Sequence, residues 1–184
     1  CLKLFGADAP SNKLNLALIA VGHRVPDATL YEFFETESGG CALGPNAFSV
    51  AELVKGKKIV VFGLPGAFTP TCHKNHLPGY RDKSAELKAK GIDTIAVTAV
   101  NDAFVMGAWR DATNCGDKIE FLADGSAEFT KAVGLVLDAT AGGLGIRSLR
   151  YSMLVEDGVV KILNIEDSPG NADISGAAAL ITQI

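Results

Sequence analysis

No two cysteines in this chain stand at C-x-x-C spacing; the four are Cys1, Cys41, Cys72 and Cys115. That removes both the dithiol of a disulfide oxidoreductase and the paired thiolates of a structural zinc site. Long apolar runs are missing too. The stretch from Leu14 to Val21 is about half of the roughly 18 residues a membrane-spanning helix needs, so it is read as core or contact surface, with no membrane partner expected. Excess positive charge is absent: 17 Lys and Arg against 21 Asp and Glu leave a net charge of −4, which argues against a nucleic-acid partner. Histidine is scarce, at three residues. His73 and His76 follow Cys72 closely enough to suggest a metal, but no further ligand has suitable spacing, and no metal or other cofactor is expected. They are read as a polar rim, or as a source of local positive charge if one is protonated.

What is present describes one globular domain: 184 residues, 48% of them hydrophobic. The chain opens on Cys1 rather than Met, which suggests trimming; the cytoplasm is the expected compartment and an organelle the alternative. Residues 1–20, with the turn-like Pro10-Ser11-Asn12, are expected to be an arm on a domain spanning 21–184.

The chemistry concentrates in one stretch. Ile59-Val60-Val61-Phe62 is a short, largely β-branched run bounded by Lys57-Lys58 and by Gly63, Pro65 and Gly66, the pattern of a buried strand. After it, Thr69 suits an N-cap and Pro70 the first helical position, which makes Cys72 the third residue of a helix. A Thr69 cap would accept from the Cys72 N–H. Alone, Cys72 would read as one more buried cysteine. At a helix N-terminus, where unsatisfied N–H groups favour a thiolate, it becomes a candidate nucleophile.

The string P-G-A-F-T-P-T-C resembles the P-x-x-x-T-x-x-C active site of peroxiredoxins, and G-A-F-T-P followed by H-L-P-G-Y is similar to their type-five, plant type II branch. The resemblance continues through V-N-D-A-F-V-M-G-A-W, F-L-A-D-G-S, G-L-G-I-R-S-L-R-Y and E-D-G-V-V-K. It implies a thioredoxin-like three-layer α/β sandwich and a peroxidase in which Cys72 is the peroxidatic thiol. Thr69 would align the peroxide, Pro65 shield the thiolate and Arg150 fix both sulfur and substrate, with Gly66 and Thr71 contributing to the substrate site. It further implies hydrogen peroxide and organic hydroperoxides as substrates, glutathione with glutaredoxin or thioredoxin as reductant, and a homodimer. A peroxide sensor that signals through a mixed disulfide is the alternative.

The remaining chain agrees with that architecture. Strands are expected at Ala28–Phe33, Ile92–Val100 and Ile119–Leu122. Helices are expected from Ser49 to Val54, from Tyr80 to Lys90, from Asp102 to Trp109, from a Ser126 cap to before Gly134, and from Ser175 to Ile184. Pro78-Gly79 should kink or interrupt the active-site helix. Asp157-Gly158, between two apolar runs, is a strong hairpin signal. Arg147 and Arg150, three apart on one expected strand, should face opposite ways; Arg150 is chosen to meet Cys72, and Arg147 to brace it. Phe104, Met106 and Trp109 follow helical spacing and are assigned to core or dimer contact.

Type-five relatives that resolve their own sulfenic acid carry a second cysteine at positions equivalent to about Ile174-Ser175 or Ala96. Neither position holds sulfur here. Cys115 is the internal substitute to weigh, Cys1 and Cys41 being weaker, and a one-cysteine cycle closed by an external thiol is expected.

Overall fold

The computed structural model describes residues 18–33 and 44–184. Cys1, Cys41 and the turn at Pro10-Ser11-Asn12 lie outside them. Packing is already established at Ile19, which is buried and donates its N–H to the Val133 carbonyl.

A seven-stranded mixed sheet forms the middle layer, in the order β2-β1-β5-β4-β3-β8-β9. Its centre is β3 (Lys58–Gly63), parallel to β4 (Thr94–Ala99), which is parallel to β5 (Glu120–Ala123). On the other side of β3, β8 (Tyr151–Glu156) and β9 (Val159–Ile165) pair antiparallel. At the far edge, β1 (Thr29–Glu32) pairs antiparallel with β5 and with β2 (Asn46–Ser49), a strand that had no signal of its own.

Period two in β3 sends Val60 and Phe62 into one core and Ile59 and Val61 into the other, which is why the run is continuously apolar instead of alternating. The first core is covered by α2 (Leu77–Asp82), α3 (Ser84–Ala89), α4 (Ala103–Ala112) and α6 (Ala177–Ile181), through buried residues such as Leu77, Leu87, Met106, Trp109 and Leu180. The second is covered by α1 (Val50–Val54) and α5 (Glu128–Ala132). This is the thioredoxin-like three-layer sandwich.

Local signals explain most element ends. Ser49 caps α1 by accepting from Glu52 N–H, and Asp102 caps α4 by accepting from Val105 N–H. Asp157 and Gly158 both have positive φ, as a two-residue hairpin turn between β8 and β9 requires. Two expected helix boundaries are corrected. Ser126 does not cap α5: the buried Asp124 carboxylate accepts from the N–H groups of Phe129 and Thr130 at 3.1 and 2.8 Å. The helical run expected from Tyr80 to Lys90 is broken at Lys83, which lies between α2 and α3.

Arg147 and Arg150 do not share a strand. Arg147 belongs to β7 (Gly145–Ser148), which pairs with β6 (Val136–Ala139) in a separate two-stranded ribbon, while Arg150 directly precedes β8.

Candidate active site

The chain leaves the carboxyl end of β3 at Leu64 and turns through Pro65–Phe68 before entering a helix, the position where open α/β sheets place their sites. The loop is held by short bonds. Ala67 N–H donates to Asn101 Oδ1 at 2.9 Å, the Thr69 hydroxyl donates to the Gly66 carbonyl at 2.8 Å, and Arg147 Nη1 reaches the Pro65 carbonyl at 3.4 Å. These contacts keep Phe68 at φ +62°, a left-handed conformation that costs a residue with a side chain about 1–3 kcal/mol.

Helical structure begins at Pro70, and the His73 N–H donates to the Thr69 carbonyl at 2.9 Å, so Cys72 occupies the third helical position. The Thr69 hydroxyl does not cap as expected; it is turned back to Gly66 O. Cys72–His76 then forms a π-helical turn in which Leu77 N–H bonds the Cys72 carbonyl. The wider turn directly precedes Pro78, whose ring and missing N–H disrupt an ordinary i→i−4 ladder. The helix therefore continues into α2 with a change of pitch.

Cys72 is fully buried, and its sulfur receives Nη2 of Arg150 at 3.3 Å. The guanidinium is buried as well, and its other bonds fix it in place. Nε and Nη2 donate to the Pro169 carbonyl at 3.2 and 2.7 Å, and Nη1 meets Nδ1 of His76 at 3.1 Å. Arginine has donors only, so Nδ1 must be the acceptor and Nε2 must carry the proton, which points to the Ser175 carbonyl at 3.1 Å. His76 is thus neither rim nor cation: burial foremost, then the charge of Arg150, lowers its pKa to about 3, against the opposing Ser175 bond. His73 is half-buried, accepts from Trp109 Nε1 at 2.9 Å and stacks beside Phe68.

Beside this centre lies a cleft of about 490 Å³. One wall is Pro65, Thr69, Pro70, Thr71 and Pro169; the other is the β6–β7 ribbon, with Leu137, Ala139 and Leu144; Arg150, though buried, also lines it. Thr71 ties this wall to the loop after β9 by donating to Gly170 O at 3.2 Å. A second cleft of about 510 Å³, lined by Glu32, Phe48 and Glu120 among others, has no cysteine in its lining and no contact with Arg150, so chemistry rather than size decides between them.

The residues selected from sequence are thereby brought together, with two exceptions. Gly66 is part of the loop but does not line the cleft, and a Cβ there would meet Arg147 Nη1. Cys115 is buried against Thr113, Oγ1 to Sγ 3.4 Å, forms no disulfide with Cys72 and does not line the cleft. Burial foremost pushes its thiol pKa up. Sequence reasoning missed Asn101, although it stands in the V-N-D string, and missed Pro169, Ser175 and Glu166. Their roles depend on a loop path that no local pattern encodes.

A thioredoxin-like sandwich presenting one buried, helix-borne thiol beneath an arginine defines a class of thiol-dependent redox enzymes. The redoxin family profile matches residues 20–181. The chain is 49% identical over 155 residues to the chloroplastic peroxiredoxin-2E-2 of Oryza sativa subsp. japonica, covering 83% of this chain and 67% of that protein. It is 45% identical over 162 residues to peroxiredoxin-2B of Arabidopsis thaliana, covering 88% and 96%. Reduced Prx3 in complex with hydrogen peroxide from Vibrio vulnificus matches with a TM-score of 0.81 at 46% identity, covering 90% of this chain and 96% of that one. The chain belongs to the redoxin family, in its plant type II-like peroxiredoxin branch, and is a thiol peroxidase.

Proposed function

We propose that Cys72 reduces hydrogen peroxide and organic hydroperoxides in a one-cysteine cycle. The observation that carries this reading is the 3.3 Å approach to the Cys72 sulfur of Nη2 of Arg150, a residue that lines the cleft. The Cys72 thiolate attacks the OH-bearing oxygen of the peroxide. An S–O bond forms, the O–O bond breaks, sulfur is oxidised to sulfenic acid and the leaving alkoxide or hydroxide takes a proton to become alcohol or water. Negative charge moves from sulfur to the leaving oxygen. Arg150, fixed beside the sulfur and lining the cleft, stabilises that charge as it shifts, without having to reorganise. The Thr69 hydroxyl spends its proton on Gly66 O and so offers lone pairs to the O–H of an incoming peroxide. Pro65 and Thr71 shape the cleft wall. The Vibrio vulnificus relative that binds hydrogen peroxide supports this substrate.

An external thiol closes the cycle. The sulfenic acid condenses with one thiol to a mixed disulfide and water, and a second thiol releases Cys72. The placement of Cys115 supports this. It is packed with Thr113, whose carbonyl accepts from Arg81. Cys72 and Cys115 are both free and buried, and Cys115 does not line the cleft to which Arg150 belongs. Glutathione with glutaredoxin, or thioredoxin, serves as reductant, in keeping with the branch.

Exposed rings at Phe68 and Phe104, 50% and 54% accessible, support a homodimer contact beside the site. The same surface suits the second reading, a sensor that passes its oxidation to a docked partner by mixed disulfide. The domain boundary near residue 20 and the cytoplasmic location remain proposals of the sequence; relatives include chloroplastic and mitochondrial proteins. Steady-state peroxide consumption with glutathione/glutaredoxin and with thioredoxin, offered separately, tests the cycle. Multiple turnovers with either support the enzyme; one burst with every donor supports the sensor. Cys72→Ser should abolish consumption while the fold persists, and turnover by that variant would end the assignment.

A further inference from the structure

The bonds of Arg150 continue into a buried chain of side chains that the peroxidase reading does not use. Glu166, at the end of β9, donates its backbone N–H to the Arg150 carbonyl at 3.0 Å. Its carboxylate Oε1 accepts both the N–H and the hydroxyl of Ser175, each at 2.8 Å. All four side chains, Arg150, His76, Ser175 and Glu166, are among the buried polar residues.

The polarity of this chain has one solution. A guanidinium only donates, and Glu166 Oε1 accepts from both the N–H and the hydroxyl of Ser175, so the ends are fixed. Because the Ser175 hydroxyl gives its proton to Glu166, it presents lone pairs to His76 Nε2, 3.3 Å away, beside the Ser175 carbonyl at 3.1 Å. Nε2 therefore carries hydrogen and Nδ1 is left bare for Arg150. The opposite tautomer would set N–H against N–H at Arg150 and lone pair against lone pair at the Ser175 carbonyl, two buried repulsions at once. Tyr80 steadies that carbonyl by donating its hydroxyl at 2.7 Å.

We propose that Glu166 and Ser175 are positioning residues for the peroxide reaction: they lock His76 in the Nε2–H form, so that Nδ1 holds Nη1 of Arg150 and keeps Nη2 on the Cys72 sulfur. Without Glu166 the N–H and hydroxyl of Ser175 lose their common acceptor, and the freed hydroxyl can donate to Nε2, competing with the Ser175 carbonyl and weakening the Nε2–H form that Arg150 requires. The inference rests on Cys72 and Arg150 being the reacting pair.

The test is made on the full chain. Long-range proton–nitrogen NMR of the histidine rings, assigned against His23→Gln and His73→Gln, should show His76 as Nε2–H at pH 7; an Nδ1–H or doubly protonated ring overturns the proposal. In Glu166→Ala the His76 signals should become those of mixed tautomers, and the rate of Cys72 oxidation by peroxide should fall about tenfold, the scale of one misplaced charged hydrogen bond. Glu166→Gln keeps an acceptor and should recover to within about threefold. Alkylation of Cys72 by iodoacetamide separates orientation from loosening, because a loosened fold exposes the buried thiol. Slower peroxide oxidation without faster alkylation supports the proposal, whereas both together, or an unchanged tautomer and rate, overturn it. Should Glu166→Ala fail to fold, Ser175→Ala takes its place, with a loss of about threefold expected and no loss overturning the idea. A wild type that is not oxidised at Cys72 would sink the functional reading instead; normal wild-type oxidation with indifferent variants sinks this inference alone.

Discussion

Nη2 of Arg150 stands 3.3 Å from the sulfur of Cys72 although 78 positions separate them in sequence. Replacing Arg150 with Met keeps much of the volume but removes the donors and leaves Pro169 O and His76 Nδ1 unpaired. The second-order rate of Cys72 oxidation, followed by stopped-flow fluorescence of the single tryptophan, Trp109, should fall by about 10²-fold or more. An unchanged rate in Arg150→Met would pass the role to Arg147, whose guanidinium reaches the Pro65 carbonyl.

Sulfur bookkeeping makes the second prediction. After one equivalent of peroxide, Cys72 should rest as sulfenic acid and become glutathionylated when glutathione is added. The triple variant Cys1→Ser, Cys41→Ser, Cys115→Ser should keep full turnover with an external reductant. Mass spectrometry of the oxidised wild type decides: a Cys72–Cys115 disulfide in high yield, with turnover lost in Cys115→Ser, would show a two-cysteine cycle.

His76 should make the protein acid-sensitive. Its pKa falls from 6.5 unfolded to about 3 folded, so below pH 6.5 the unfolded chain binds a proton that the native state refuses. Its contribution to stability is complete above pH 6.5 and is lost as pH drops toward 3, at up to about 1.4 kcal/mol per pH unit. His76→Asn, which retains an acceptor for Arg150, should show a shallower loss in urea denaturation between pH 7.5 and 4. Parallel curves would mean that His76 is not the group responsible.

At the carboxyl end of β3, Gly63 lies opposite Tyr151, and a Cβ there would clash with the tyrosine ring. Gly63→Ala must therefore displace a fully buried aromatic one strand away. A loss of about 1–3 kcal/mol in the denaturation midpoint is expected, by overpacking, and wild-type stability would show that the ring has room to move.

Much of this molecule was legible in the chain. The apolar run Ile59–Phe62, the Asp157-Gly158 turn, the Asp102 and Ser49 caps and the Thr69-Pro70 helix start are local patterns, and local sterics and hydrogen bonding enforce them wherever they occur. Cys72 could be singled out for the same reason: its helix position follows from its neighbours. The Asp124 cap, displaced by two residues from Ser126, shows the limit, since either side chain suits the motif and only the path of the loop selects one.

What the tertiary structure decided are the pairings over long distances. Local pattern puts Arg147 and Arg150 on one strand; in the fold the chain divides between them, sending one to the ribbon and the other to the sulfur. His76 could be placed on the active-site helix from sequence, but its charge state could not, because that depends on burial and on Arg150 and Ser175, 74 and 99 positions away. Composition and local pattern determined that a thiol would sit at the start of a helix behind a buried strand. Only packing three layers together determined which groups desolvate, and a group's protonation and hydrogen-bond direction follow from what surrounds it once water is gone.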